Sequence, residues 1–596
     1  MSARLQTIKT AALAISFTML TALTLVPAGA QTSDNVIYLN QAWSQEDREW
    51  YYHFSQGSAV LAYDVYLNLE VAGGPDLFRS DANSVRYGLI PDPANWNNPD
   101  GLPIGMSKAT VATPIKGWPA GDYVGMTCAA CHSGQLKYKG KLIRIQGGGN
   151  NAIDLQGLVR DLDAALRTTL TDTAKFDRLA TRLGASSPDA KDKLRKRAES
   201  ENERVHDYAT RSTITRYLWG PGRMDALALI FNRALATLPG ILENSTIAVA
   251  PTKPPFLWNA PHGLWTQWRG TVQDPIKRNV QESIGVYLPL DLSSKSPAEG
   301  LFQSSVPILD LQRAENQLER LAPPSWPEDL FGKIDRDKAK VGKAVFVERC
   351  ASCHNVWPYQ WTEPNKYGKR YVLVGLTPQT YVGTDRGQFE TLHPFSISGE
   401  LGNSLSKELL PGAYGKPLLP SGEFMNAISF TVMDTALRKL NLTEAQELDL
   451  HGYRVRGGGL STTLPSEAVY KAGPRDGVWA TAPFVHNGSV PNLYEMLIPA
   501  AERTKKFYLG GDFDPVRVGL DTKATSGTFL MDTTLPGNSN AGHSFENSPL
   551  GNGVIGPLLT EDDRWALVEY LKSIPEEAGR VTPFGGPPEA SSSQKP

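Results

Sequence analysis

All four cysteines of this 596-residue chain fall in two copies of one short pattern, "CAACH" (Cys128 to His132) and "CASCH" (Cys350 to His354). Three ordinary uses of paired cysteines fit this poorly. Disulfides are common in exported chains, but they do not account for a histidine directly after each pair. Zinc ribbons set their two Cys-x-x-Cys halves roughly 15–20 residues apart, and these two pairs lie far from each other. A thioredoxin-like redox pair has no need of a histidine at the same offset twice. Covalent haem c accounts for every residue of the pattern. Two thiols on one turn reach the two vinyl groups, and the next residue offers its imidazole to the iron. Cys128, Cys131, Cys350 and Cys353 are therefore expected to bind two haem c groups, with His132 and His354 as proximal iron ligands.

The first thirty residues read as an export signal. Arg4 and Lys9 make a basic start, an apolar run follows from Ala11 to Val26, and "AGA" (Ala28 to Ala30) offers a small-x-small cleavage site. The run is shorter than the roughly 18–20 residues that span a bilayer. The mature chain is expected to be periplasmic or secreted, with no membrane span after cleavage. A net charge of −2 with 20% charged residues gives no basic patch for nucleic acid.

The chain exceeds the roughly 250–300 residues at which one core stops growing. The Pro-rich "LAPPSWPED" (Leu321 to Asp329) marks the expected boundary. This gives a signal peptide over 1–30, an N-terminal haem domain over 31–325, a C-terminal cytochrome c domain over 326–580 and a disordered tail over 581–596. The fold class expected is mainly α: two cytochrome c-like haem domains with long irregular loops and few short strands. Leu155, Leu158, Leu162, Leu166 and Leu170 have helical spacing in a stretch from Asp154 to Leu183, and Ala190 to Tyr208 reads as a solvated helix. Before the second motif, Val341, Val345 and Phe346 share a helical face beside Gly342. Near the end, Thr560 caps a helix whose apolar stripe is Leu567, Val568, Leu571 and Ile574, with Pro575 after its end.

"WATAPFVHNGSVPNLYEML" (Trp479 to Leu497) resembles the "TAPYxHNGS" signature of the bacterial di-haem cytochrome c peroxidases and MauG-like proteins. "FLWNAPHGLWTQWRG", from Phe256, resembles a diverged form of a second segment of that superfamily. The size of the chain and the closing "GNSNAGHSF" (Gly537 to Phe545) are more similar to its large branch, which holds the rubber oxygenase RoxA and the bacterial di-haem fatty acid dioxygenases. The two Trp-Pro segments also read as a faint internal repeat in which Trp268 and His486 hold similar places.

The resemblance implies unequal haems. For the C-terminal haem it implies His543 as sixth ligand, with His486 near the haem as competitor. For the N-terminal haem it implies an open distal face, Trp268 between the haems as an electron or hole carrier, and Glu282 as a distal acid, with Asn279 and Ser283 as pocket residues. The peroxidase "NPxEM" pattern is absent. His53 and His262 read as hydrogen-bonded structural residues. Ca2+ between the domains is a further implication, with no ligands assigned. The function expected is a dioxygenase using O2 on an unsaturated hydrophobic substrate, a fatty acid or polyisoprene. The alternatives are a peroxidase reducing H2O2 with electrons from a small redox protein, and a non-enzymatic di-haem electron carrier. The length of the chain weighs against the carrier.

Overall fold

The computed structural model describes residues 35–407, 412–456 and 468–577. The export signal and the C-terminal tail lie outside the described residues. Labels follow only for the elements used below.

The N-terminal part opens with β1 (Val36–Tyr38), α1 (Gln45–His53), β2 (Leu61–Ala62), β3 (Met106–Val111) and β4 (Gly121–Met126). The first cysteine pair then forms the one-turn α2 (Cys128–Cys131), and β5 (Ser133–Tyr138) and β6 (Lys141–Gln146) follow. β4 pairs antiparallel with β2 and β3, whereas β6 pairs with β5 antiparallel and with β1 parallel. The first haem-type motif is thus strung between two three-stranded sheets. Thr127 caps α2 by accepting from the Ala129 N–H at 3.1 Å. Gly105 closes the other side. A β-carbon there would fall 2.1 Å from Ala130 Cα, and its φ of +91° suits glycine.

The stretch from Asp154 is two helices, α3 (Leu155–Thr171) and α4 (Thr173–Arg182). Apolar spacing alone runs across the break. Asp172 makes it: its backbone is extended, and its carboxylate accepts from the Lys175 N–H at 3.1 Å, capping α4. α5 (Pro188–Asp207) packs on α3, burying Ala198 and Val205, while Leu194 clusters with Phe176 and Leu179 of α4, so this helix is solvated on one face only.

α6 (Pro275–Gly285) is buried over almost its whole length, between α7 (Ile308–Glu319) and α9 (Ser421–Leu437). α8 (Arg336–Arg349) leads into the second cysteine turn. A short antiparallel pair, β7 (Gly375–Pro378) with β8 (Val469–Ala472), follows in space, and α10 (Glu561–Glu577) closes the chain against α8. The buried face of α8 is Ala339, Gly342 and Phe346. Val341 is exposed, because the close helix crossing is centred on Gly342 and turns Val341 outward. Phe346 packs on Tyr570 with ring centroids 5.3 Å apart. Thr560 and Asp563 cap α10 reciprocally: the Asp563 N–H donates to the Thr560 hydroxyl at 3.1 Å and the Thr560 N–H to the Asp563 carboxylate at 3.3 Å. Leu567, Val568, Leu571 and Ile574 are buried as the stripe requires. The helix continues past Pro575 to Glu577.

The main core runs from Trp43 to Ile574 without a break at the Pro-rich segment. Leu321, Ala322 and Trp326 are buried, and Trp479 donates its indole N–H to the Pro324 carbonyl at 2.9 Å. The segment carries the chain through the core. A second core lies under the β2–β4–β3 sheet and α3.

Candidate functional site

Each cysteine pair opens onto its own cavity. None of the four cysteines is in a disulfide. Burial pushes the Cys131 and Cys350 thiols up to about 12, which disfavours the thiolate that a redox pair or zinc site needs.

The C-terminal cavity has a volume of about 220 Å³ and is lined by Cys350, Cys353 and His354 as well as by His543. His354 Nδ1 lies 3.1 Å from the Gly473 carbonyl and 2.9 Å from Arg475 Nε. A neutral imidazole can serve only one of these. With its proton on Nδ1 it donates to Gly473 and leaves Nε2 free as a ligand. Burial, then Arg475, holds the ring well below the usual histidine range, so it is neutral and can ligate. The rings of His354 and His543 have centroids 6.2 Å apart. A nitrogen ~2 Å from a metal on each side, plus the two ring radii, sets trans imidazole centroids roughly 6 Å apart. His543 Nδ1 is buried with no hydrogen-bond partner, and its backbone sits at φ +46°. A hexacoordinate haem c fits this pair.

His486 belongs to the same cavity but is engaged elsewhere. Its ring stacks on Tyr470 at 4.3 Å, and its Nε2 lies 3.1 Å from the Tyr470 hydroxyl. Trp268 packs against it edge-on, with centroids 6.4 Å apart. The two residues of the faint repeat are therefore neighbours.

The N-terminal cavity, of about 200 Å³, is lined by Cys128, Cys131 and His132. His132 Nδ1 lies 2.9 Å from the Pro255 carbonyl, which again frees Nε2, and burial lowers its pKa to about 4. Among the described residues, no second histidine lines this cavity. His53 lies away from it, bonded to the Met106 carbonyl and Asp92 at 2.8 and 3.0 Å. His262 is bonded to the Glu319 carbonyl at 3.2 Å.

α6 supplies the polar wall. Arg278, Asn279 and Glu282 face the cavity. Burial pushes the Glu282 carboxyl up, Arg278 opposes this, and Glu315 adds to it. Glu315, from α7, pairs with Arg278 and accepts from Asn279 Nδ2 at 2.9 Å. Ser283 does not line the cavity. Its buried hydroxyl has no partner, because it falls on another side of the helix than Asn279 and Glu282. The rest of the lining is largely apolar, including Leu227, Ile230, Phe256, Leu257 and Leu318.

Trp268 and Lys471 line both cavities. Trp268 donates its indole N–H to the Lys253 carbonyl at 2.9 Å and accepts the Lys471 N–H at its own carbonyl at 2.7 Å. Sequence reasoning missed Lys471, Arg278, Glu315 and Arg475. Only Arg278 had a signal, one turn before Glu282 in "KRNVQESIGV". Among the described residues, no group of three or more His, Cys, Asp or Glu side chains is arranged to hold a metal ion, so the structure supplies no ligand set for Ca2+. No helix among them is long and apolar enough to cross a membrane.

Residues 469–508 match the RoxA-like, cytochrome c-like family. The match covers β8, Arg475 and His486, and supports haem c binding in a haem oxidoreductase. It favours the RoxA-like side of the resemblance and does not extend in detail to the MauG and peroxidase side. Over nearly its full length the chain belongs to one family with the "Uncharacterized protein y4iJ" of Sinorhizobium fredii (strain NBRC 101917 / NGR234), to which it is 32% identical over 585 residues, 91% of this chain and 94% of the relative. The "Uncharacterized protein y4iM" of the same strain is 24% identical over 343 residues, 54% of this chain and 63% of the relative.

Proposed function

We propose that the chain is an exported di-haem c oxygenase acting with O2 on an unsaturated hydrophobic substrate, a fatty acid or polyisoprene. The observation that carries this reading is the asymmetry of the two cavities. The C-terminal one sets two histidines face to face, and the N-terminal one offers a single histidine beside apolar walls. Cys128 and Cys131 would hold one haem, with His132 as ligand. Cys350 and Cys353 would hold the other, between His354 and His543. An iron with an open position supplies O2 binding and activation, and a closed one supplies electron storage.

The chain's own residues do the remaining work. The aliphatic and aromatic lining of the N-terminal cavity excludes water and accepts an apolar chain. Glu282, whose carboxyl burial pushes above the ordinary glutamate range, stands at the cavity wall where it could donate a proton. Arg278, Asn279 and Glu315 fix the wall of α6 on which it stands. Trp268 lies in the shared wall, where an electron or hole can pass. Glu282 also favours the second reading, a peroxidase, since a cavity acid serves O–O cleavage.

The test is turnover by the purified holoprotein. Oxygen consumption with cleavage of oleate or polyisoprene is expected. Rapid H2O2-dependent oxidation of a reduced small redox protein, without O2 uptake, would replace the reading with the peroxidase. Two low-spin haems that ignore CO in both redox states would leave only the electron carrier.

A further inference from the structure

Four cationic side chains gather at the wall between the cavities. Lys253, Arg269 and Lys471 line the N-terminal cavity, and Lys471 and Arg475 line the C-terminal one. Their bonds go to neutral groups. Lys253 Nζ donates to the Thr481 and Pro483 carbonyls. Arg269 Nη1 donates to the Gln388 carbonyl at 3.1 Å, and its Nε is buried without a partner. Arg475 Nε lies 2.9 Å from His354 Nδ1, whose own proton goes to the Gly473 carbonyl. Lys471 is held through its backbone N–H by Trp268 and presents its side chain to both cavities.

No carboxylate among the described residues compensates this charge. Burial and Arg475 together push Lys253 down to about 7. Burial, Arg475 and Arg278 push Lys471 down to about 8. Burial alone brings Arg475 to about 10. Every charge acting on the two lysines is positive. Buried cations without counter-ions are costly, and Asp or Glu on a neighbouring strand would remove that cost. The chain instead turns these cations toward the two cavities, so a group held there can supply the anions that answer them.

We propose that this junction receives the carboxylate arms of both haem c groups, with Lys471 shared between them, Arg475 serving the C-terminal group and Lys253 and Arg269 the N-terminal one. The inference rests on the di-haem reading and deepens it. Each haem c brings two propionates, so four carboxylates meet four cations. A free fatty acid is the other source of a carboxylate, and the two sources respond differently to the test. A cation fixed against the propionates stabilises the reduced iron, so removing it lowers the potential of the haem it touches.

The experiment uses the holoprotein. Covalent haem is first counted by the pyridine haemochrome spectrum, and fewer than two per chain in the unaltered protein would sink the functional reading itself. The midpoint potentials of both haems are then measured, without fatty acid, in the Lys471→Met, Lys471→Gln and Lys471→Arg variants. In the first two, both potentials are expected to fall by the equivalent of about tenfold in the reduction equilibrium, about 59 mV for one electron. In Lys471→Arg both are expected to hold. Two haems per chain with unchanged potentials, a fall at one haem only, or weakened oleate binding with unchanged potentials each overturns the proposal. In the unaltered protein, resonance Raman propionate bands at ion-paired positions are expected, and bands of solvated carboxylates overturn it without any variant.

Discussion

Gly342 and Ala566 meet so closely that a β-carbon on Gly342 would fall 2.0 Å from the Ala566 carbonyl oxygen. This single approach sets the crossing of α8 and α10. α8 delivers Cys350 and Phe346 to the C-terminal cavity, and α10 delivers Leu567 and Leu571 to it. Gly342→Ala must push two helix backbones apart. Overpacking of this kind costs roughly 1–3 kcal/mol. Thermal unfolding is expected to shift down accordingly. An unchanged Tm would mean that the crossing is not a rigid element of the fold.

His543 faces His354 across the cavity, with one ring nitrogen unpartnered. His543→Ala is expected to open the C-terminal haem and let it bind CO in the reduced protein, which absorbance would show. His543→Met is expected to keep the haem six-coordinate and raise its potential, since Met/His ligation does so in cytochromes c. A variant spectrum identical to that of the unaltered protein would remove His543 as a ligand.

Glu282 is held above the ordinary glutamate value, chiefly by burial. Glu282→Gln is expected to lower turnover by about 10²–10⁴-fold, the usual contribution of a positioned proton donor, while leaving the spectrum in place. The sign of the pH effect follows from the raised pKa. Its contribution to folding is fully present below the unfolded value and is lost as pH rises through the folded one. The Gln variant should therefore lose less stability than the unaltered protein as pH rises above about 4.5. Parallel denaturation profiles would exclude a buried acid at this position.

Glu70 has the opposite sign. Arg178 bonds it through two nitrogens at 2.7 and 2.6 Å, and Arg182 and Lys175 add to the pairing. These hold the carboxyl down at about 2, mainly through Arg178. Its contribution is present above the unfolded pKa and is lost as pH falls toward 2. At one unit per 1.36 kcal/mol the ceiling is about 3 kcal/mol, lowered by the solvent exposure of the arginines. Urea midpoints of Glu70→Gln should differ from those of the unaltered protein at neutral pH and converge with them near pH 2.

The two motifs were legible because covalent haem attachment would fix their spacing, and both cysteine pairs and their histidines stand at cavity walls. The capping pair Thr560 and Asp563 was legible because its bonds are local. The break at Asp172 was not, since the same aspartate can continue a helix or cap the next one, and only packing decides. The two sheets around the first motif were hidden for a similar reason. Their strands are short and pair at long range, as in Ser133 with Gln146, and they leave little periodicity to read. Lys471, Arg475 and Glu315 had no sequence signal at all. Each is an ordinary charged residue until the fold brings it to a cavity.

The segment from Lys253 to Pro255 touches nearly every part of the site. The Pro255 carbonyl holds His132, and the Lys253 carbonyl holds Trp268. The Lys253 N–H donates to the His486 carbonyl at 2.9 Å, and its ammonium is pinned to the loop before His486. The proximal ligand of one chamber and the aromatic wall of the other are therefore mounted on the same three residues. A displacement of that tripeptide moves both mounts together, which gives the two chambers a common mechanical degree of freedom.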